Sequence, residues 1–195
     1  MKVLVGCEYS GRVREAFRSR GHDAWSCDVI ESLDNSPHHL TEDVLNVIHW
    51  QNWDLAIFFP PCTHLASSGA RWFKEKEKEQ LEALDFIRAL MEADIPRIAI
   101  ENPIGVISSQ IRKPEQIVQP YWFGDKARKA TCLWLKDLPV LDPTCMVEPE
   151  IITYSNGKTF SADYGVGFNT KHGHRRSLTY QGIAEAMAEQ WGSIE

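Results

Sequence analysis

The 195-residue sequence predicts an α/β fold: a mostly parallel sheet with helices on both faces and a small hairpin insertion near the C-terminus. Three observations predict it. The chain opens as a strand, a glycine-bearing turn and a helix. Apolar, strand-like runs then alternate with amphipathic segments. Late in the chain, Ser155-Asn156-Gly157 sits between two strand-forming runs.

The elements follow in order. Lys2 to Gly6 is a short apolar strand, and Gly6-Cys7-Glu8-Tyr9-Ser10-Gly11 leads into a helix with Val13, Ala16 and Phe17 at helical spacing, stopped at Gly21. Ala24 to Cys27 reads as a second strand with Asp28 at its carboxyl end. After a polar stretch holding Pro37, His38 and His39, Trp53 to Phe59 is a buried strand, ended by Pro60-Pro61 because proline cannot donate to a ladder. Cys62 to Trp72 must then be loop. Lys74 to Ala93 is the clearest helix, with Leu81, Leu84, Ile87, Leu90 and Met91 on one face and a solvated run of Lys and Glu at its start. Pro96 to Ile100 is a fourth strand, ended by Glu101-Asn102-Pro103, and Thr131 to Leu135 is a fifth. Ile151 to Tyr154 and Lys158 to Phe160 flank the hairpin turn. Gly182 to Trp191 is an amphipathic helix with Ile183, Met187 and Trp191 in line.

A chain of this length is expected to form one domain, spanning 1–195. It buries about 70% of its unfolded surface, so neither a disulfide framework nor a structural metal is needed to hold it. Hydrophobic residues at 43% and charged residues at 25% exclude disordered, collagen-like and coiled-coil classes. No apolar run is long enough for a membrane helix, and Cys7 and Glu8 interrupt the opening before a signal-peptide segment forms, so we expect a cytoplasmic protein without a membrane partner. The cysteines at 7, 27, 62, 132 and 145 contain no Cys-x-x-Cys pair and read as reduced thiols. With 21 Lys and Arg against 27 Asp and Glu, the net charge is −6, the wrong sign for coating a polynucleotide. Any contact with one must be local.

Parallel sheets bind ligands at the carboxyl ends of their strands. Glu8, Asp28, Cys62, Glu101 and Asn102 all follow directly on predicted strands, so one crevice would hold them. Two prolines place Cys62 on a stiff backbone, which suits a nucleophile that must meet its substrate in one geometry. A cysteine that packs as a small hydrophobe sits among apolar residues, whereas Cys62 is flanked by Thr63, His64, Ser67 and Ser68. The other four cysteines carry no such signal and read as structural. A carboxylate at Glu101 would hydrogen-bond or protonate a ring nitrogen if burial raised its pKa. On spacing alone, a solvent-exposed strand end is the alternative.

These residues carry a family resemblance. Phe59-Pro60-Pro61-Cys62 followed by Ile100-Glu101-Asn102-Pro103 resembles the Pro-Cys and Glu-Asn-Val motifs of the DNA cytosine carbon-5 methyltransferases, with a similar separation of 101 minus 62, or 39 residues. The likeness is to short, phage-encoded members, which implies the Rossmann-like S-adenosylmethionine-dependent methyltransferase fold and cytosine-containing DNA as partner. By the same resemblance Gly6, Cys7, Glu8, Tyr9, Ser10 and Gly11 form the cofactor loop. Asp28 is then the ribose-binding acid, Asp43 belongs to the adenine-side motif, Pro60 borders the cofactor, and Gly182 to Trp191 is the closing helix. The implied reaction begins when the thiolate of Cys62 adds to carbon 6 of cytosine while Glu101, with Asn102 beside it, stabilises the protonated ring nitrogen. Carbon 5 then takes a methyl group from S-adenosylmethionine, and loss of its proton with elimination frees the enzyme. In duplex DNA the target base would first have to leave the stack.

Several features depart from the family pattern. The first loop carries Glu8 and Tyr9 where the family is glycine-rich, and proline replaces valine after Glu101-Asn102. The family's arginine-bearing motif is matched in part by Lys126-Ala127-Arg128-Lys129, which would make Arg128 catalytic and set Lys126 and Lys129 against nucleic acid. Read without the family, this stretch fits a solvated basic loop equally well. Residues 136–180 would be a reduced recognition region, mostly the hairpin and the run Lys171-His172-Gly173-His174-Arg175-Arg176. As the densest positive patch of an acidic chain, Lys171, His174, Arg175 and Arg176 are expected to hold a phosphate backbone. A homodimer would pool two such patches. No metal site is expected, because His64, His172 and His174 lack paired spacing. Tyr121-Trp122-Phe123 reads as core. Two rival readings stand beside the first. One is a transferase acting on a free pyrimidine nucleotide or single-stranded nucleic acid, suggested by the acidic charge and small recognition region. The other is a non-catalytic nucleotide- or cofactor-binding module, suggested by the Glu8-bearing loop.

Overall fold

The computed structural model describes residues 1–68, 75–155, 157, 159–161 and 178–194. Strands β1 (Lys2–Gly6), β2 (Asp23–Asp28), β3 (His39–Thr41), β4 (Leu55–Phe58) and β5 (Arg97–Pro103) run parallel. Strand β7 (Thr131–Lys136) runs antiparallel between β5 and β6 (Gln116–Val118). The order across the seven-stranded sheet is β3-β2-β1-β4-β5-β7-β6. A separate antiparallel pair, β8 (Ile151–Thr153) and β9 (Thr159–Ser161), is the hairpin that the Ser-Asn-Gly turn predicts.

Strands buried on both sides must be apolar throughout, and β4, Leu-Ala-Ile-Phe, is buried at every position. Alternation along the strands divides the core in two. Val3, Val5, Leu55, Ile57 and Leu133 pack with α1 (Arg12–Arg18) and α5 (Gln181–Trp191) through Val13, Phe17, Ile183, Met187 and Trp191. Leu4, Ala56, Phe58, Ile98 and Trp134 pack on the other face with α2 (Val44–Val47) and α3 (Glu77–Met91). A charged group is buried against the first layer: Arg14, fully buried, donates to the buried Ser26 Oγ at 2.7 Å and pairs with Glu15 and Asp34. A charge so deep is tolerable only when partnered on several sides.

Sequence and structure differ in three places. Leu81, predicted on the buried face of α3, is 59% exposed, while Leu84, Ile87 and Leu90 are buried. Steps of three residues drift by about 60° per step on a helix of 3.6 residues per turn, so Leu81 stands half a turn away from Leu90. Glu101 and Asn102 do not follow β5 but lie within it, because β7 prolongs the ladder by pairing with both residues beyond the last contact to β4. Finally, β3, α2, β6 and the short α4 (Ile107–Gln110) are three or four residues each, too short for a periodic signal. Phe123 is buried and Trp122 packs against the core, as expected.

Because β7 is antiparallel, it ends at the edge of the sheet opposite the carboxyl ends of its neighbours. Residues 137–150 return from there along α5. Trp191 Nε1 donates to Pro139 O at 2.9 Å, Gln190 exchanges hydrogen bonds with Asp142, and further on Cys145 N, Val147 N and Glu150 N donate to Trp122 O, Tyr121 O and Lys126 O. This return brings the β8–β9 hairpin back to the edge where β1, β2, β4 and β5 end. Among the described residues no helix is long and apolar enough to cross a membrane.

Candidate active site

Four parallel strands deliver their carboxyl ends to one edge, and β7 delivers its first residues there. Cys7 and Glu8 follow β1, Asp28 ends β2, Phe59 to Cys62 follow β4, and Glu101 and Asn102 lie near the end of β5, whose last residue, Pro103, pairs with Thr131.

The loop bearing Cys62 is fastened on both sides. Phe59 N donates to Gly6 O at 3.0 Å, and Asn102 Nδ2 donates to Pro60 O at 2.8 Å in a buried contact. Leu65 N and Ala66 N both donate to Cys62 O, closing a tight turn. Val106 N donates to Leu65 O, Ser67 N to Ile104 O, and a Cβ on Gly105 would fall 2.0 Å from Leu65 O. The loop is therefore laced to the segment leaving β5, with Pro60 buried and Cys62 exposed.

Glu101 and Asn102 point to opposite faces of β5. Asn102, paired with Cys132, turns toward the α3 side, where it holds Pro60 and leaves its buried Oδ1 without a partner among the described residues. Glu101, paired with Leu133, turns toward the α5 side and is half-buried. Burial pushes its carboxyl above the ordinary glutamate range, while the Lys129 ammonium and a hydrogen bond from the Thr131 side chain work against that rise. Lys129 Nζ also lies 5.9 Å from the centre of the Tyr180 ring, a cation-π contact.

In the first loop, Gly6 permits close packing, since a Cβ there would lie 2.6 Å from both Phe58 and Val44. Cys7 takes a left-handed φ of 57°, and Gly11 another of 76° at the start of α1. Glu8 is 4% exposed. Its Oε1 accepts from Arg12 N at 3.0 Å and from Ser10 Oγ, and its Oε2 has no partner among the described residues. Burial raises its pKa, opposed by these donors and by Arg14. Tyr9 O accepts from Leu33 N at 2.9 Å, holding the loop that follows β2. Asp28 is half-buried and raised by burial, with Ile30 N donating to it at 3.3 Å. Asp43 is exposed and caps α2 by accepting from Leu45 N at 2.9 Å.

S-adenosylmethionine fits this donor set. A buried carboxylate oxygen awaiting a partner suits an ammonium group, and an acid at the next strand end suits a ribose diol. Gly6, Cys7, Glu8, Tyr9, Ser10, Gly11 and Asp28 would hold it, and Asp43 stands on the following element.

Other expected site residues fall elsewhere. Arg128 is exposed at the base of the hairpin, its backbone N donating to Ser161 Oγ at 2.9 Å. Lys126 is exposed and pairs with Glu150 at 3.2 Å. Lys129 is the cation that faces Glu101. Lys171, His174, Arg175 and Arg176 lie outside the described residues. Burial first, then neighbouring acids, push the Cys27 thiol up to about 12 and Cys132 up to about 11, and raise Cys7 further still. Such thiols stay protonated at neutral pH. Among the described residues no three side chains of metal-ligating type gather into a site.

Sequence spacing missed Arg12, Thr131 and Tyr180. They converge with the site only because β7 is antiparallel and α1 and α5 both begin at this edge.

The strand order with its antiparallel β7 defines a Rossmann-like methyltransferase fold. A solved structure sharing it comes from a protein encoded within an Escherichia coli prophage and assigned as a DNA modification methyltransferase, with a TM-score of 0.51 and 16% sequence identity, covering 77% of this chain and 52% of that one. The present chain thus spans about half the length of that structure. An Escherichia coli rRNA methylase gives a TM-score of 0.41 at 14% identity over 69% of this chain and 55% of that one. The 16S rRNA methylase RmtB gives 0.40 at 18% identity over 69% and 54%. No protein-family model and no curated protein matches the chain.

Proposed function

We propose that this chain is an S-adenosylmethionine-dependent methyltransferase acting on carbon 5 of cytosine in DNA. The observation that carries the reading is the Asn102 to Pro60 hydrogen bond, which couples the Pro-Pro-Cys62 loop to the strand bearing Glu101. S-adenosylmethionine, when bound, would supply an electrophilic methyl group and leave as S-adenosylhomocysteine. Cys62 Sγ, exposed on a fastened loop, adds as thiolate to carbon 6 of the ring. Glu101, whose carboxyl is disposed by burial to keep a proton, donates that proton to ring nitrogen 3 and draws the added electron pair away. The resulting enamine makes carbon 5 nucleophilic. Once carbon 5 is methylated, loss of its proton to solvent and expulsion of Cys62 Sγ restore the aromatic ring, and nitrogen 3 returns its proton to Glu101.

DNA containing 5-fluorocytosine tests this directly, because fluorine replaces the proton whose loss releases the enzyme. Incubation with cofactor should yield a covalent protein–DNA adduct on Cys62, located by peptide mass spectrometry. Cys62→Ser should yield none. An adduct on another residue, or no adduct and no labelled DNA, would sink the reading. The shortness of β8 and β9, three residues each in an acidic chain, supports a second reading, a single-stranded or free pyrimidine nucleotide substrate. It predicts methyl label in nucleotide or single strand and none in duplex.

A further inference from the structure

We propose that Arg12 is a positioning residue that fastens the Glu8 loop to the wall bearing Glu101, so that engagement of one is felt at the other. The inference rests on the cofactor reading of the Glu8 loop. Arg12 opens α1, and its backbone N–H donates to Glu8 Oε1 at 3.0 Å. Its guanidinium Nη1 donates to Thr179 O at 2.7 Å, across 167 residues of sequence. Thr179 directly precedes Tyr180, the N-cap of α5, and the Tyr180 ring carries Lys129 Nζ 5.9 Å from its centre. Lys129 in turn is the cation beside Glu101. One residue therefore holds the first loop by its backbone and the opposite wall by its side chain.

The start of α5 is seated directly on the loop of Phe123 to Asp125. Asp125 Oδ2 accepts from Gly182 N at 2.9 Å, and a Cβ at Gly182 would lie 1.8 Å from Phe123 O, so the helix backbone rests directly on the loop. A shift at Thr179 is passed to Tyr180. At the other end, Glu8 Oε2 has no partner among the described residues. When a cationic group meets it, the carboxylate is held ionised, and a charged acceptor grips the Arg12 N–H more tightly than a neutral one. The two ends thus have a physical reason to respond together.

Amide hydrogen exchange separates this proposal from the reading beneath it. In the ligand-free protein, Glu8→Gln should change exchange at amides 182–184 by about tenfold. In an Arg12→Met background, which keeps the packed stem and removes the donors, the same change should fall below about twofold. Arg12→Lys, which returns a donor to Thr179 O, should recover it, and Arg12→Ala serves if Arg12→Met does not fold. An undiminished response in the Arg12→Met background would overturn the proposal. S-adenosylhomocysteine supplies the second arm. In the wild type it should slow exchange at residues 8–12 and at 182–184, and in Arg12→Met only at the first. Slowing at both in Arg12→Met also overturns the proposal. Slowing at neither in the wild type removes the cofactor reading, and the Glu8→Gln comparison then decides the role of Arg12 alone.

Discussion

Among the described residues Glu8, Asn102 and Gln119 each leave a buried side-chain oxygen without a partner, and the first two belong to the candidate site. Removing the Asn102 amide by Asn102→Ala strips Pro60 O of its donor inside the protein, an arrangement that costs about 1–3 kcal/mol. Urea unfolding should show that loss, and methyl transfer should fall further than stability does, since the Cys62 loop is what the bond positions. For Glu8 the sign runs the other way from a paired carboxylate. Its folded pKa is raised, so it contributes stability below the ordinary glutamate pKa of about 4.3 and loses that contribution as pH rises through the folded value. Glu8→Gln should therefore melt at a higher temperature relative to the wild type as pH is raised from about 4 to 8, with the difference vanishing at the acid end. A constant difference across that range would contradict the burial argument. Cys62 stood out in sequence as the candidate nucleophile because prolines and polar neighbours set it apart, and the structure leaves it exposed on a fastened loop. Lys129 was not: nothing in Lys126-Ala127-Arg128-Lys129 tells which cation meets Glu101, and only the direction of β7 decides it.

Among the elements, α3 offers the sharpest comparison. Leu84→Ala should cost about 2–5 kcal/mol in urea unfolding, and Leu81→Ala less than about 0.5, although both belong to one apparent apolar stripe. Equal losses would mean that the helix is rotated from its described setting. Long, strongly patterned elements were readable from sequence: β1, β2, β4, β7, α1, α3 and α5 fall where apolar spacing puts them. The far end of β5 was not, because whether Glu101 and Asn102 continue a strand depends on Leu133 and Cys132, distant in the chain. The short elements β3, α2, α4 and β6 escaped for the same reason, since tertiary pairing holds them and local propensity does not.

Across the whole molecule, charge limits how nucleic acid can be held. With a net charge of −6 and Lys126 paired to Glu150, a nucleic acid held under the proposed function would meet local contacts and displace few counterions. Binding to DNA should weaken with salt along a slope shallower than about −4 in log–log form, measured by fluorescence anisotropy. A much steeper slope would reveal a broad basic surface. The backward course of residues 137–150 has a consequence of its own. It works as a ruler: three backbone donors, at Cys145, Val147 and Glu150, fix the height at which the following hairpin emerges. Lengthening the chain ahead of those anchors would loop out, whereas an extra residue among them would slide the hairpin out of step with the Cys62 loop and, under the proposed function, would alter how a base is presented without touching Cys62 or Glu101.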